Sequence, residues 1–482
     1  MRIPDAMRPM LSVWAHSNYA WFMGGMTPQL ITLWMQRIGT LWLAWELTKS
    51  NAWVGLIVAV DYAPMIVLAP FVGAFVDRAN PVLVQKISQI LNLLLSALMA
   101  ALTFAGLMSI WLLLVLSLVL GCLHPFNAIS RHAIVPNTVP KTAIPTALAT
   151  DSALYNAARF IGPALAGLLI ELSHVGYTFA ANSVGCMFYL VGLFMMRLEL
   201  PDRKGHAHAN MLGDIKEGLA YVRGHPGIGP LFLLMAVGAV WIRPLQDLLP
   251  GFADQVFQAG PAGLGLLTAA MGVGATAAAA MVAAYARTTG LTLAVLLAFL
   301  VNVLATLLFA ATGYLWLAMV FGVAWGATLT MMSTGTQALV QSAVDNSIRA
   351  RVMSLYTMIY RGAPFVGAMV IGWAADRIGL QLAFFFAALL CILPWMNAFA
   401  RRGTMTLALE GRGNDYDQRL MAASKAWAGM GRERLVDLRE RARPLARKTH
   451  DGARGLMARA RRVRLPVKLP IRKPWRSSDD QK

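Results

Sequence analysis

The chain has 482 residues; 57% are hydrophobic and only 13% are Asp, Glu, Lys or Arg, yet its formal net charge is +19. Globular proteins usually carry about 25% charged residues, so a soluble enzyme is excluded, and a disordered chain would not be this apolar. A nucleic-acid-binding protein could be as basic, but not at a mean hydropathy of +0.57, which leaves a polytopic membrane protein with its positive charge outside the lipid.

A spanning helix needs about 20 mostly apolar residues. Twelve such stretches follow one another near 20–46, 52–76, 85–107, 110–130, 147–171, 175–196, 229–252, 261–286, 290–312, 314–337, 352–374 and 380–400. The expected fold is an all-α membrane protein with 12 transmembrane helices in two six-helix halves. Residues 1–196 form the first half and 229–400 the second. Residues 197–228 form a charged central loop, from Arg197 to Pro226 at its core. Residues 401–482 form a basic tail holding 22 Lys and Arg against 9 Asp and Glu. Cys122, Cys186 and Cys391 lie in apolar runs and read as small buried hydrophobes.

Charge fixes the topology. With the N-terminus in the cytoplasm, 36 of the 42 basic residues fall on the cytoplasmic side and only Lys49 and Arg377 fall outside. Positive charge collects inside, so both termini are expected in the cytoplasm of a bacterial cell, with the protein in the inner membrane. No cleavable signal peptide is expected, the first span itself serving as the insertion signal. Four basic residues remain within the spans: Arg37, Arg159, Arg243 and Arg361.

The halves repeat. A shift of 205 residues places Gly121 on Gly326, Tyr155 on Tyr360, Phe160 on Phe365, Gly162 on Gly367 and Gly167 on Gly372; a shift of 210 places Gly55-Leu56 on Gly265-Leu266. Two parallel six-helix repeats imply a substrate site near the bilayer midplane, at the repeat interface. Spans two, five, eight and eleven are expected to form the contact between halves. Their glycines permit close helix approach.

Several motifs lie on this frame. They are Leu33-Trp34-Met35-Gln36; Trp45-Glu46-Leu47-Thr48-Lys49-Ser50; Gly73 with Asp77-Arg78 in the loop after span two; Ser130-Arg131-His132; Gly162-Pro163 with Gly167; and Arg349-Ala350-Arg351 before span eleven. Together they resemble the major facilitator superfamily, and within it the enterobactin-exporter-like, or transmembrane secretion effector, branch. The resemblance covers about residues 17–400. It implies export by alternating access, driven by proton influx. It also implies gating roles for Gly73, Asp77, Arg78, Gly162, Pro163, Gly167, Arg349 and Arg351. In the family motif Gly and two basic residues usually follow; here Asn80-Pro81-Val82 stand instead, so weaker or differently partnered ion pairing is expected in that gate.

Charge within a span costs roughly 2.5–3.5 kcal/mol on insertion scales and marks a cavity or a partner. Arg37 and Asp61 lie at matching depths, about 13 Å from the outer surface at 1.5 Å per residue, so they can pair. Arg243 and Asp247, at i and i+4, share a helix face. Arg159 and Arg361 have no evident acidic partner. The surplus of arginine points to an anionic substrate bearing carboxylate, catecholate or phosphate groups, bound by Arg37, Arg243, Arg361 and Arg159 with Trp34 and Gln36. The alternative is that these arginines clamp helices. Asp61 is the first candidate for proton coupling, since alternation between a buried and an Arg37-paired setting loads and releases a proton; Asp247 and Glu46 come second. His124 reads as a satisfied buried histidine. His206 and His208 read as solvated loop. No nucleophile–base set, phosphate loop or metal-site spacing occurs, so neither enzyme activity nor a cofactor nor a metal is expected.

In the tail, Leu420, Trp427, Leu435 and Leu438 suggest amphipathic helix. The arginines beyond them suit the anionic inner leaflet, and no nucleic-acid partner is expected. The remaining partners are a small-molecule substrate and protons, with the protein a monomer. Two other readings fit the same residues: a transport-inactive sensor or scaffold acting through the basic tail, and an importer or lipid flippase of the same fold.

Overall fold

The computed structural model describes residues 12–198, 211–285 and 289–411. Among them there is no strand. The helices are α1 (Ser17–Thr48), α2 (Asn51–Arg78), α3 (Pro81–Phe104), α4 (Ile110–Ile134), α5 (Ile144–Leu172), α6 (Gly176–Met195), α7 (Met211–Gly224), α8 (Ile228–Trp241), α9 (Gly260–Tyr285), α10 (Leu291–Ala311), α11 (Leu315–Ala343), α12 (Asn346–Ile378), α13 (Leu380–Leu390), α14 (Ile392–Ala400) and α15 (Arg402–Glu410).

Sequence punctuation sets the boundaries. Lys49, at φ 49°, ends α1 in the left-handed region, and the Ser50 hydroxyl then caps α2 by accepting from Trp53 N. Asn80-Pro81, the departure from the family motif, makes an N-cap. The Asn80 side chain accepts from Val82 N at 2.9 Å, and the proline occupies the first helical turn, where its missing N–H costs nothing. The α2–α3 connection is therefore very short, and Gly73, Asp77 and Arg78 lie in the last turns of α2 rather than in a loop.

Three further expectations need correction. The central loop contains a helix, α7. The span expected over 229–252 is broken: α8 stops at Trp241, and a 3-10 turn (Arg243–Leu245), a short helical turn (Leu249–Gly251) and a π turn (Phe252–Val256) follow. Pro244 and Pro250 cannot donate to the carbonyls of Val240 and Gln246, which interrupts the ladder twice. The body of the bundle also extends past residue 400. Helix α15 packs on α10 and α11, burying Met405 and Leu409. The Glu410 carboxylate accepts from the backbone N–H groups of Gly290 at 2.6 Å and Thr292 at 2.7 Å, supplying partners at the start of α10. The amphipathic segments expected around Leu420–Leu438, and His206 and His208, lie outside the described residues.

Among the described residues, eleven stretches are long and apolar enough to cross a membrane: α2 to α6, α8 with its irregular continuation, α9 to α12, and α13 with α14. Helix α1 has 32 residues but carries Asn18, Gln29, Gln36, Arg37 and Glu46, and it is not among the eleven. Helix α3 shows the solvent these helices are built for. Leu83, Ile87, Leu94 and Leu98 are exposed, while Gln85, Gln89, Asn92 and Ser96 are buried. Apolar residues outward and polar residues inward suit lipid, where polar groups need partners within the bundle.

In the first half, α1 packs on α5 and α6, α2 on α4, and α3 on α4 and α6. In the second, α11 packs on α9 and α10, and α12 on α8. The halves meet along α2 with α12 and α5 with α9, the four expected spans. Glycine sets this approach. A Cβ at Gly167 would stand 2.6 Å from Gly265 Cα and from Pro261 O, and one at Gly372 would strike Asn51 O. The two contacts map onto each other: Asn51 is offset by 210 from Pro261, and Gly167 by 205 from Gly372.

Candidate functional site

A cavity of about 200 Å³ opens within the first half, walled by α1 to α4 with Tyr155 of α5 and Tyr189 of α6. From the second half it receives Arg361 of α12. A chain of charges crosses its wall. Arg37 Nη1 donates to Asp61 Oδ2 at 2.7 Å, and its Nη2 donates to Asp247 Oδ1 at 2.8 Å. On the other side of Asp61, Oδ1 lies 2.8 Å from His124 Nε2. The Arg37 guanidinium also stands over the Tyr62 ring at 4.6 Å and near Trp34 at 5.9 Å.

The structure thus brings Arg37 and Asp61 together but separates Arg243 from Asp247. Once the helix breaks at Pro244, i and i+4 no longer share a face. Asp247 turns to Arg37. Arg243 instead donates to the Tyr360 carbonyl at 2.6 Å, stacks over that ring at 4.3 Å and borders a smaller apolar pocket. Arg159 donates to Gln246 Oε1 at 2.8 Å, outside the main cavity. Arg361 lines the cavity, is exposed to it, and makes no hydrogen bond or ion pair among the described residues.

This changes the charge balance. Asp61 and Asp247 together outweigh Arg37 by one negative charge, while Arg131, also on the wall, holds Asp151 at 2.6 Å. Among the cavity arginines, Arg361 is the one left without a carboxylate.

Gln36 is not free for a ligand. Its Oε1 accepts from Ser96 at 2.7 Å and Asn182 at 2.6 Å, tying α1 to α3 and α6. Trp34 does face the cavity, with its Nε1 buried and unpartnered. Glu46 is exposed near the end of α1 and is not brought to the cluster.

Sequence reasoning missed two features. One is the His124–Asp61 contact, for which no spacing gave a signal. The other is the polar wall of α3 and α4. Gln85 and Gln89 both donate to Asn127 Oδ1, at 3.2 and 2.8 Å. Their own Oε1 atoms, with Ser117 Oγ and Tyr189 OH, are buried without protein partners, on residues that line the cavity. Buried polar atoms of this kind are costly to leave unpaired, and they give this side of the cavity a polar lining. The signal was present: Gln85, Gln89, Asn92 and Ser96 recur at helical spacing through an apolar span.

The expected gating residues fall into groups. Gly162 admits α1: a Cβ there would stand 2.6 Å from Ile31 O and Trp34 Cβ. Pro163 lies within α5 beside the Gly265 approach. Arg349 donates to the Val344 carbonyl at the end of α11, and Arg351 pairs with Glu217 of α7 at 2.8 Å. Asp77 and Arg78 make no ion pair among the described residues. The described hydrogen bonds between halves lie from mid-bundle to the Lys49 end: Arg37 to Asp247, Arg159 to Gln246, Trp45 and Lys49 to Asp254, Ala262 N to Glu171, and the start of α2 to Asp376. Asp376 accepts from Asn51 N at 2.7 Å, Ala52 N at 3.1 Å and the Ser50 hydroxyl.

Known proteins resemble this chain. Residues 18–411 match the family described as "Transmembrane secretion effector". Macrolide efflux protein A of Streptococcus pyogenes is 21% identical over 378 residues, covering 76% of this chain and 92% of the relative. The staphyloferrin A transporter of Staphylococcus aureus is 25% identical over 229 residues, 46% of this chain and 56% of that protein. Among solved structures, the nucleoside transporter NupG superposes with a TM-score of 0.61 at 13% identity, over 82% of this chain and 99% of its own. At that identity the likeness concerns the fold.

Proposed function

Because this chain belongs to the transmembrane secretion effector family of the major facilitator superfamily, we propose that it exports a small anionic molecule from the cytoplasm in exchange for protons, by alternating access. Helix α1 is then the twelfth crossing, the membrane is the bacterial inner membrane, and both termini are cytoplasmic. The Lys49 end of the bundle faces outward. With the described hydrogen bonds between halves gathered toward that end, the conformation is one closed to the outside. The protein acts as a monomer, and its basic tail lies along the anionic inner leaflet.

The observation that carries this reading is a cavity holding both an ionisable pair and an unpaired cation. Asp61, gripped by Arg37, is a carboxylate that a proton can neutralise. Arg361, without a carboxylate, is placed for an anionic group of the substrate. The polar residues Gln85 and Gln89 on the same wall suit a substrate that carries N–H or O–H groups. The efflux role in the name of the Streptococcus pyogenes relative supports the direction.

The test is a deletion strain with its intracellular metabolites and drug tolerances profiled. One anionic compound should be retained, with release restored by the wild-type gene and not by Asp61→Asn. Unchanged profiles, or full restoration by Asp61→Asn, would count against the proposal.

A further inference from the structure

A proton reaches Asp61 through one of its two oxygens, and each has one protein partner. Oδ2 accepts from Arg37 at 2.7 Å. A guanidinium holds its protons at any accessible pH, so Arg37 is no route. Oδ1 faces His124 Nε2 at 2.8 Å. An imidazole exchanges protons near neutrality and has two nitrogens, one for each side of a transfer. His124 also stands closer to the cavity, with 35% of its side chain exposed against 19% for Asp61.

Among the described side chains, no other imidazole or carboxylate lies between the cavity and Asp61; Arg361, Tyr155 and Tyr189 line the same cavity. Helix α1 presents Arg37, and α2 presents Tyr62 next to Asp61 itself. Helix α3 presents the neutral Gln85, Gln89 and Asn92 to the cavity, its Lys86 being turned to the Phe194 ring at 4.4 Å. On α4, Arg131 is engaged with Asp151. From the second half, Asp247 lies behind Arg37, and Arg243 is held by Tyr360.

We propose that His124 is the proton relay between the cavity and Asp61, a role that rests on Asp61 being the proton carrier. In the loading direction, neutral His124 with its proton on Nε2 takes a second proton from cavity water at Nδ1. The Nε2 proton then passes to Asp61 Oδ1. The N–H bond at Nε2 breaks, an O–H bond forms, and the imidazole is left neutral with its proton on Nδ1. One proton has entered and one carboxylate charge is gone. Arg37 then has Asp247 as its one charged partner, which ties the first half to the second. Turning the ring, or proton exchange with water, restores the starting tautomer.

The experiment is pH-jump infrared spectroscopy on the full chain in lipid nanodiscs, with no transported substrate present. The protonated-carboxyl C=O signal that is missing in Asp61→Asn reports Asp61. After a drop from about pH 7 to about pH 3.5, into the carboxylate range, this signal should appear about tenfold or more slowly in His124→Ala. Free imidazole, which the cavity of about 200 Å³ can admit, should restore the rate. His124→Gln, able to hydrogen-bond but not to relay, should stay slow with or without imidazole. Wild-type rates in His124→Ala or His124→Gln, or no rescue of His124→Ala by imidazole, overturn the relay alone. A wild-type protein without any Asp61-dependent signal overturns Asp61 as carrier and the relay with it.

Discussion

Arg37 of α1 and Asp247, in the broken segment after α8, stand in opposite halves of the bundle and meet at 2.8 Å while Arg37 also grips Asp61 at 2.7 Å. One guanidinium thus joins a bond inside the first half to a bond between halves. Removing one member of a buried pair leaves its partner uncompensated, at a cost of about 3–5 kcal/mol. Arg37→Gln should therefore lower the melting temperature sharply. Adding Asp61→Asn and Asp247→Asn to it should recover much of the loss. Thermal melts of the purified variants check this, and a single mutant as stable as wild type would show that the bridge holds nothing.

The glycine seam should govern closure at the Lys49 end. Gly372→Ala pushes a methyl into Asn51 O, where α12 meets the start of α2. Forcing a methyl into such packing costs about 1–3 kcal/mol and should fall on the closed state. The expected readout is faster labelling, by an impermeant maleimide added outside, of a cysteine placed at Thr40 on the cavity wall. Equal labelling in wild type and variant would place the closure elsewhere.

Arg361 separates affinity from stability. It has no hydrogen bond or ion pair among the described residues, so Arg361→Gln should melt like wild type. A hydrogen bond to a charged group contributes about 1.5–3 kcal/mol, so affinity for an anionic substrate should fall by about tenfold to a hundredfold. A neutral ester of the same compound should lose far less. Equal losses for both would remove the anion role.

The C-terminal boundary predicts two different truncations. Deleting 412–482 leaves Glu410 on the N–H groups of Gly290 and Thr292, so stability and export should persist. Deleting from 402 removes that cap and the buried Met405 and Leu409, and should reduce the amount of protein in the membrane. Full loss of function on removing 412–482 would instead favour a scaffold working through its tail.

A pH effect comes from outside the spans. His225 Nδ1 accepts from Gly227 N at 3.2 Å and Ile228 N at 3.1 Å, where α7 gives way to α8. Burial holds its pKa below the ordinary 6.5. A depressed folded value means the imidazole is neutral in the fold, so its contribution is complete above pH 6.5 and fades as pH falls through the lower folded value. Denaturation midpoints measured between about pH 7 and about pH 5 should decline more in wild type than in His225→Asn. Parallel curves would dismiss the effect.

The long helices were legible because hydropathy and the basic loops speak at the scale of a whole span. The depth match of Arg37 and Asp61 was legible for the same reason, since rise per residue converts position into depth. Asp247 was misplaced because the i, i+4 rule assumes an unbroken helix, and Pro244 and Pro250, which break it, were visible but unweighed. His124 carried no pattern; its meaning depends on which side chain faces it across two helices. The arginine surplus dissolved for a similar reason: pairing is a property of three-dimensional neighbours, and Arg361 is the cavity arginine with no carboxylate partner among the described residues.

The most direct test of proton-driven export is uptake of the retained metabolite into everted membrane vesicles whose lumen is acidified by respiration. Wild-type vesicles should accumulate it, nigericin should collapse the accumulation, and Asp61→Asn vesicles should not accumulate it at all. Accumulation that survives nigericin, or that proceeds normally in Asp61→Asn, would contradict the account.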